Sequence, residues 1–184
     1  MSSTDPHQDP NPALLVRGAD AEALESDPGG VITLLAESSA TGGSLSSHRS
    51  TFREGFDGAP PHFHSGSTEL FFVLAGSLQV LLGDDIIVLD EGDFLAVPPR
   101  VAHAFAAAPG ADADVLFVFA PGVDRFDYYR LLDRVHRGDA GWQEIADTQD
   151  RFDNHYVESE AWKQARTREL SAERTAGSGA PACA

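Results

Sequence analysis

Four side chains in this sequence have the types and spacing to do chemistry together. His62 and His64 stand two residues apart, Glu69 follows, and His103 lies on a later segment, GDFLAVPPRVAHAF. On a β-strand, residues i and i+2 share a face, so His62 and His64 can converge on one point. The intervening Ser65, Gly66, Ser67 and Thr68 allow a turn that lays a second strand alongside, with the Glu69 carboxylate facing the same interior. Pro98 and Pro99 mark a turn just before His103, whose imidazole completes three nitrogens and one oxygen. Such a set suits a first-row divalent metal (Fe, Mn, Ni, Co or Zn). If the ion is six-coordinate, two positions remain for water, substrate or dioxygen.

The elements that must hold these residues are short and strand-like. Val31–Ala36, Ser44–Arg53, the segment around the His pair, Glu69–Ala75, Ser77–Leu82, Ile86–Leu89, Asp93–Val97, Ala102–Ala106 and Val115–Phe119 follow one another, with Gly76, Gly83–Asp84 and Glu91–Gly92 as turns. Many short strands broken by Gly and Pro predict a sandwich or barrel. Parity then assigns faces. With Glu69 inward, Phe71 and Val73 also point inward, and with Phe105 they are the expected pocket wall, suited to a small organic, possibly aromatic, ligand. Leu70, Phe72 and Leu74 point outward and are apolar, so that face calls for a cover: another sheet, the C-terminal helices or a second subunit. A homodimer is the expectation.

Taken together, His62, His64, Glu69 and Gly76 resemble the second part of the first cupin motif, with Gly55 and Gly58 flanking the place of its leading glycine. Gly92, Pro98 and His103 are similarly spaced to the second motif. Arg100 and Ala107 stand where that family usually has glycine and asparagine. The likeness runs from about Val31 to Phe119. It implies an all-β fold, a double-stranded β-helix (jelly-roll) barrel, here with a C-terminal helical extension whose aromatic-rich start is similar to single-domain bacterial quercetinase-like cupins. It also implies His62, His64, Glu69 and His103 as metal ligands. The expected activity is a metal-dependent dioxygenase acting on a small aromatic or flavonol-like compound, with dioxygen as co-substrate and Glu69 as catalytic base. A redox-neutral isomerase, lyase or polyketide-type cyclase, and a non-catalytic binding protein, are the alternatives, because one fold hosts many activities.

Size and charge bound the rest. The 184 residues make one domain with a full core. A net charge of −16 argues against phosphate backbones and disfavours anionic membranes as partners. Of the 13 basic residues only Lys163 is lysine, the usage of a GC-rich bacterial genome. The lone Cys183 allows no internal disulfide, and neither a signal peptide nor a membrane-spanning run is visible, so a cytoplasmic location is expected. The expected organisation is a disordered tail over 1–12, the barrel over 13–120, a helical extension over 121–170 and a second disordered tail over 171–184. Within it, Ala13–Arg17 reads as a short strand and Asp20 as the cap of a helical turn from Ala21 to about Ser26. Asp124 is the expected cap of a helix ending near Arg137, followed by helices from Trp142 to Phe152 and from Ser159 to Leu170. His48 reads as exposed polar filler, with pocket lining the alternative. His136 suits a helix end, and His155 beside Tyr156 can pack over the barrel mouth.

Overall fold

The computed structural model describes residues 13–25 and 29–167. Among the described residues ten strands form a curled antiparallel sheet: β1 (Ala23–Leu24), β2 (Gly30–Ala36), β3 (Ser46–Phe52), β4 (Asp57–Phe63), β5 (Thr68–Leu82), β6 (Asp85–Asp90), β7 (Phe94–Val97), β8 (His103–Ala107), β9 (Ala113–Ala120) and, after a helical stretch, β10 (His155–Tyr156). The strand order is β1-β2-β3-β9-β5-β8-β4-β10, with β6 and β7 also paired to β5. This is the mostly-β architecture expected from the pattern of short strands, curled as the cupin resemblance implies, with helices following the barrel.

One strand joins the two halves. The first part of β5 pairs with β9 and β7, and its later partners are β6 from Ser77 and β8 from Leu78. The sequence pattern predicts a turn at Gly76. Instead β5 runs through it, with a register shift between Val73 and Ala75 and Gly76 at φ +73°. The left-handed residue bends the strand from one half into the other without reversing it. A Cβ at Gly76 would stand 2.0 Å from the Asp112 carbonyl oxygen, so the position also depends on a missing side chain.

Inside, Phe52, Phe71, Val73, Leu78, Val80, Phe105, Val115 and Phe117 pack as one core. The helices are α1 (Phe126–His136), α2 (Trp142–Ala146), α3 (Gln149–Phe152) and α4 (residues 160–167). The first three bring Tyr128, Tyr129, Val135, Ile145 and Phe152 onto Leu34 of β2. From α4, Trp162 covers Leu81, Ala104 and Ala106 on the outer face of β5 and β8. Phe72, Leu74 and Phe94 stay substantially exposed, which is the face on which the expected homodimer would form.

Several local expectations fail for physical reasons. Ala13–Arg17 finds no ladder partner and is not a strand. In place of a helix after Asp20, Arg17 O accepts from the amides of Asp20 and Ala21, and the chain then pairs β1 with β2. The helix expected over Trp142–Phe152 is two short ones, divided where Thr148 Oγ1 turns back to donate to Ile145 O at 2.8 Å. Asp124 does not cap α1: its carboxylate accepts from Ser39 N, while Glu37 takes the amides of Arg125 (2.6 Å) and Phe126 (3.1 Å). The helix start is thus capped from a remote turn. The tails expected over 1–12 and 171–184 lie outside the described residues.

Two glycine-type positions test this geometry. Gly76→Ala should lower stability by at least ~2 kcal/mol, combining left-handed strain with the clash. Arg100 sits at φ +68°, where glycine is unstrained, so Arg100→Gly should raise stability by about 0.5 kcal/mol once unfolded-state entropy offsets part of the relief. Urea denaturation of both variants checks the opposite signs.

Candidate metal centre

The four candidate ligands meet at one end of the barrel. His62 is the penultimate residue of β4, His64 lies just past it, Glu69 is the second residue of β5 and His103 opens β8. His62 and His103 are direct partners across the β4–β8 ladder. All four are buried, and one ligand atom from each lies within 4.8 Å of the others.

Local chain chemistry decides which imidazole nitrogen faces inward. Pro60 and Pro61 cannot donate to the ladder, β4 loses register there, and Pro60 O is left to meet His62 Nδ1 at 2.8 Å. His103 repeats the same two-residue reach, its Nδ1 2.9 Å from Val101 O. His64 Nδ1 lies 2.5 Å from Asp153 O. A carbonyl oxygen can only accept, so each Nδ1 carries the hydrogen and each Nε2 presents its lone pair to the shared centre. Glu69 Oε2 is 2.6 Å from His103 Nε2 and 3.0 Å from His64 Nε2. Lone pairs and a carboxylate this close require positive charge between them, and a divalent cation fits the donor set.

Electrostatics agrees. Burial, reinforced by the neighbouring His103 and His64, holds His62 well below the usual imidazole range. Burial also lowers His64, against the opposing pull of Glu69. Burial by itself would raise the Glu69 carboxyl, but hydrogen bonding and positive charge offered from His103 and His64 outweigh it and hold it well below its ordinary value, the part a cation takes over once those nitrogens present lone pairs. The set is therefore two neutral imidazoles and a carboxylate near neutral pH, the protonation states that bind metal.

Behind the ligands stands a support that the sequence reading did not find. Asp153, in the left-handed turn after α3, orients His64 through its carbonyl. Its carboxylate also accepts from Ser65 N at 2.6 Å and Gly66 N at 3.0 Å, fixing the loop between His64 and Glu69. From β8's side, Arg100 N donates to His64 O at 2.7 Å. The helical extension is thus part of the centre. Asp153 and His64 are 89 positions apart, and no local pattern links them.

A cavity of about 170 Å³ opens onto His62 and Glu69. Of the residues expected to wall it, Phe105 does so; Phe71 and Val73 do not. They lie deeper along β5, fully buried, with Phe71 packed edge-on to Phe117 at 5.0 Å. The other walls come from Phe119, Arg125, Tyr128, Tyr129, Asn154 and Tyr156. Tyr156 does pack over the mouth, through pairing of β10 with β4, while His155 turns away to stack on Phe63. His48 is no exposed filler: it is 4% exposed, stacked on Phe117 and hydrogen-bonded through Nδ1 to Tyr129 Oη at 2.9 Å. Its strand position alternates inward with Ser46 and Ser50, a parity signal available in the sequence.

Two measurements follow. Metal analysis of purified protein should find His62→Ala and His103→Ala unable to retain a divalent metal, while Glu69→Gln keeps a measurable fraction. Burial depresses His48 from 6.5 to about 3, and His62 and His64 are depressed as well. In each case the unfolded chain takes up its proton first as pH falls. The stabilisation is whole above about pH 6.5 and is lost on the way down to the folded values, at up to ~1.4 kcal/mol per pH unit for each histidine. Urea melts at pH 7.5, 6 and 5 should show that loss, with a shallower acid limb for His48→Gln.

The family model described as "Cupin domain" matches residues 48–119. No curated protein matches the chain. Among solved structures, KdgF from a Halomonas species is similar at 23% identity and TM-score 0.47, over 54% of this chain and 87% of its own. Streptomyces Pac13, described as a nucleoside dehydratase, is similar at 15% identity and TM-score 0.50, over 63% and 88%. The iron(II) form of HppE is similar at 22% identity and TM-score 0.50, over 58% of this chain and 60% of its own. These likenesses are of fold. The matched segment holds β4 to β8 whole with most of β3 and β9 and carries all four converging side chains, and over it the chain is similar to the cupin superfamily.

Proposed function

We propose that this cupin is a metal-dependent enzyme, and that its reaction is the dioxygenation of a small aromatic or flavonol-like compound. The observation that carries the reading is a buried set of three imidazoles and one carboxylate opening directly onto an aromatic-walled cavity. His62, His64, Glu69 and His103 would hold the ion. A bound divalent metal supplies Lewis acidity, which lowers the pKa of a substrate hydroxyl placed against it.

The chain's own residues supply the rest. Phe105, Phe119 and Tyr128 present flat apolar surface that orients a planar substrate. Glu69 is ionised at neutral pH and lines the cavity, so it stands ready to accept the substrate's hydroxyl proton. Its depressed carboxyl makes it a weak base, so the transfer depends on the acidity that a bound metal would give the hydroxyl, and release of the proton afterwards is favoured. Residues of α1 and β10 line the far side of the cavity, so a bound substrate displaces water there, which strengthens each of these interactions.

The test is dioxygen uptake by protein reconstituted with iron, nickel, cobalt or manganese, using 3-hydroxyflavone and catechol as substrates. Stoichiometric uptake with product formation is expected, and Glu69→Gln should cut the rate at least tenfold, as loss of a general base does. Conversion without uptake would replace the reading with a redox-neutral isomerase, lyase or cyclase. Metal binding with neither uptake nor conversion would leave a binding protein. A fully active Glu69→Gln would remove the base assignment alone.

A further inference from the structure

Arg125 is a charged group of the cavity wall that the reaction above leaves unused. It sits between β9 and α1, is 4% exposed, and lines the cavity together with His62 and Glu69. Its guanidinium carbon lies 4.4 Å from the centre of the Phe119 ring and 5.2 Å from that of Tyr128. Buried arginines are ordinarily paired with a carboxylate. Among the described residues none forms an ion pair with this one.

Its hydrogen-bond account is also short. Nη2 donates to Asn154 Oδ1 at 3.0 Å, and Nε is buried with no partner. The Tyr129 hydroxyl is a further polar neighbour. Nη1 is 3.2 Å from His64 Nδ1, but that nitrogen faces Asp153 O at 2.5 Å. A ring nitrogen has one hydrogen or one lone pair, not both. When His64 Nε2 serves as a metal ligand, Nδ1 holds the hydrogen and Nη1 has no acceptor there.

The carboxylates on the cavity wall are engaged elsewhere. Glu69 faces His64 and His103, Asp57 accepts from Arg166 at 2.7 Å, and Asp133 pairs with Arg137 at 3.0 Å. A divalent ion held by neutral imidazoles and one carboxylate leaves the centre with about one net positive charge, and Arg125 adds another in a low-dielectric space. What is missing is an anion.

We infer that the substrate is itself an acid: a small planar compound whose carboxylate is received by the Arg125 guanidinium while its ring lies against Phe119 and Tyr128. This deepens the reading of the same cavity as a substrate site and rests on it. Asn154 holds Nη2 in place, and planar fork geometry makes Arg125 a selector for a delocalised oxyanion over a neutral amide of the same shape.

The probes are benzoate and benzamide, equal in shape and different in charge, titrated calorimetrically into the full-length zinc-loaded protein without dioxygen. Benzoate should bind at least tenfold more tightly. Arg125→Met should bring the two probes to parity with zinc content unchanged, and Arg125→Lys, which keeps the charge, should retain part of the preference. Equal affinities in the unaltered protein, binding of neither probe, or a preference that persists in Arg125→Met would each overturn the inference. The readout is independent of oxygen chemistry, so a failed dioxygenase assay leaves it standing. If zinc is not retained, the metal reading fails separately and the same titration of metal-free protein still compares the probes.

Discussion

Everything in this molecule depends on three imidazoles being turned the same way. A carbonyl oxygen behind each Nδ1, from Pro60, Asp153 and Val101, forces the hydrogen outward and leaves three Nε2 lone pairs converging on the Glu69 carboxylate. Rotating any one ring would strand a buried donor and put a hydrogen where a ligand lone pair is required. The barrel is the frame that makes this arrangement rigid. His62 and His103 are register partners on adjacent strands, and Glu69 enters on the strand that stitches the two halves together.

The helical extension completes the frame and does more than cover it. Asp153 holds His64 by its carbonyl and the Ser65–Gly66 loop by its carboxylate, so the last helices and the ligand loop are ordered together. Burial would raise that carboxyl, and the Ser65 side chain with the Ser65 and Gly66 amides brings it below its ordinary value, which keeps the support charged. The same extension supplies Tyr128, Tyr129, Asn154 and Tyr156 to the cavity, with Tyr128 and Tyr156 hydroxyls 2.8 Å apart. One wall of the cavity therefore comes from the barrel and carries the candidate metal ligands; the opposite wall is aromatic and hydrogen-bonding. A ligand between them meets both.

Arg100 shows how the fold absorbs a departure from its usual pattern. A glycine is expected at that turn because the backbone is left-handed, and here an arginine adopts φ +68° and still donates its amide to His64 O. The turn keeps its shape because the hydrogen bond is made by backbone, which every residue but proline offers. The cost is local strain of about 1–2 kcal/mol, small against the burial that holds β7 and β8 in place.

The sequence by itself determined the ligand types, the strand class and the inward parity of Glu69, Phe71 and Val73, because all three are local properties of a strand with a two-residue period. It was less able to place Gly76, where a turn and a bulge have the same residue signature and only the partners of β5 distinguish them. Tertiary structure alone decided that Asp153 supports His64, that Glu37 rather than Asp124 caps α1, and that Arg125 reaches the cavity. The reason is separation. Each of these contacts joins residues far apart in the chain, and their meeting is set by how the extension packs on the barrel, a condition that no spacing along the sequence encodes.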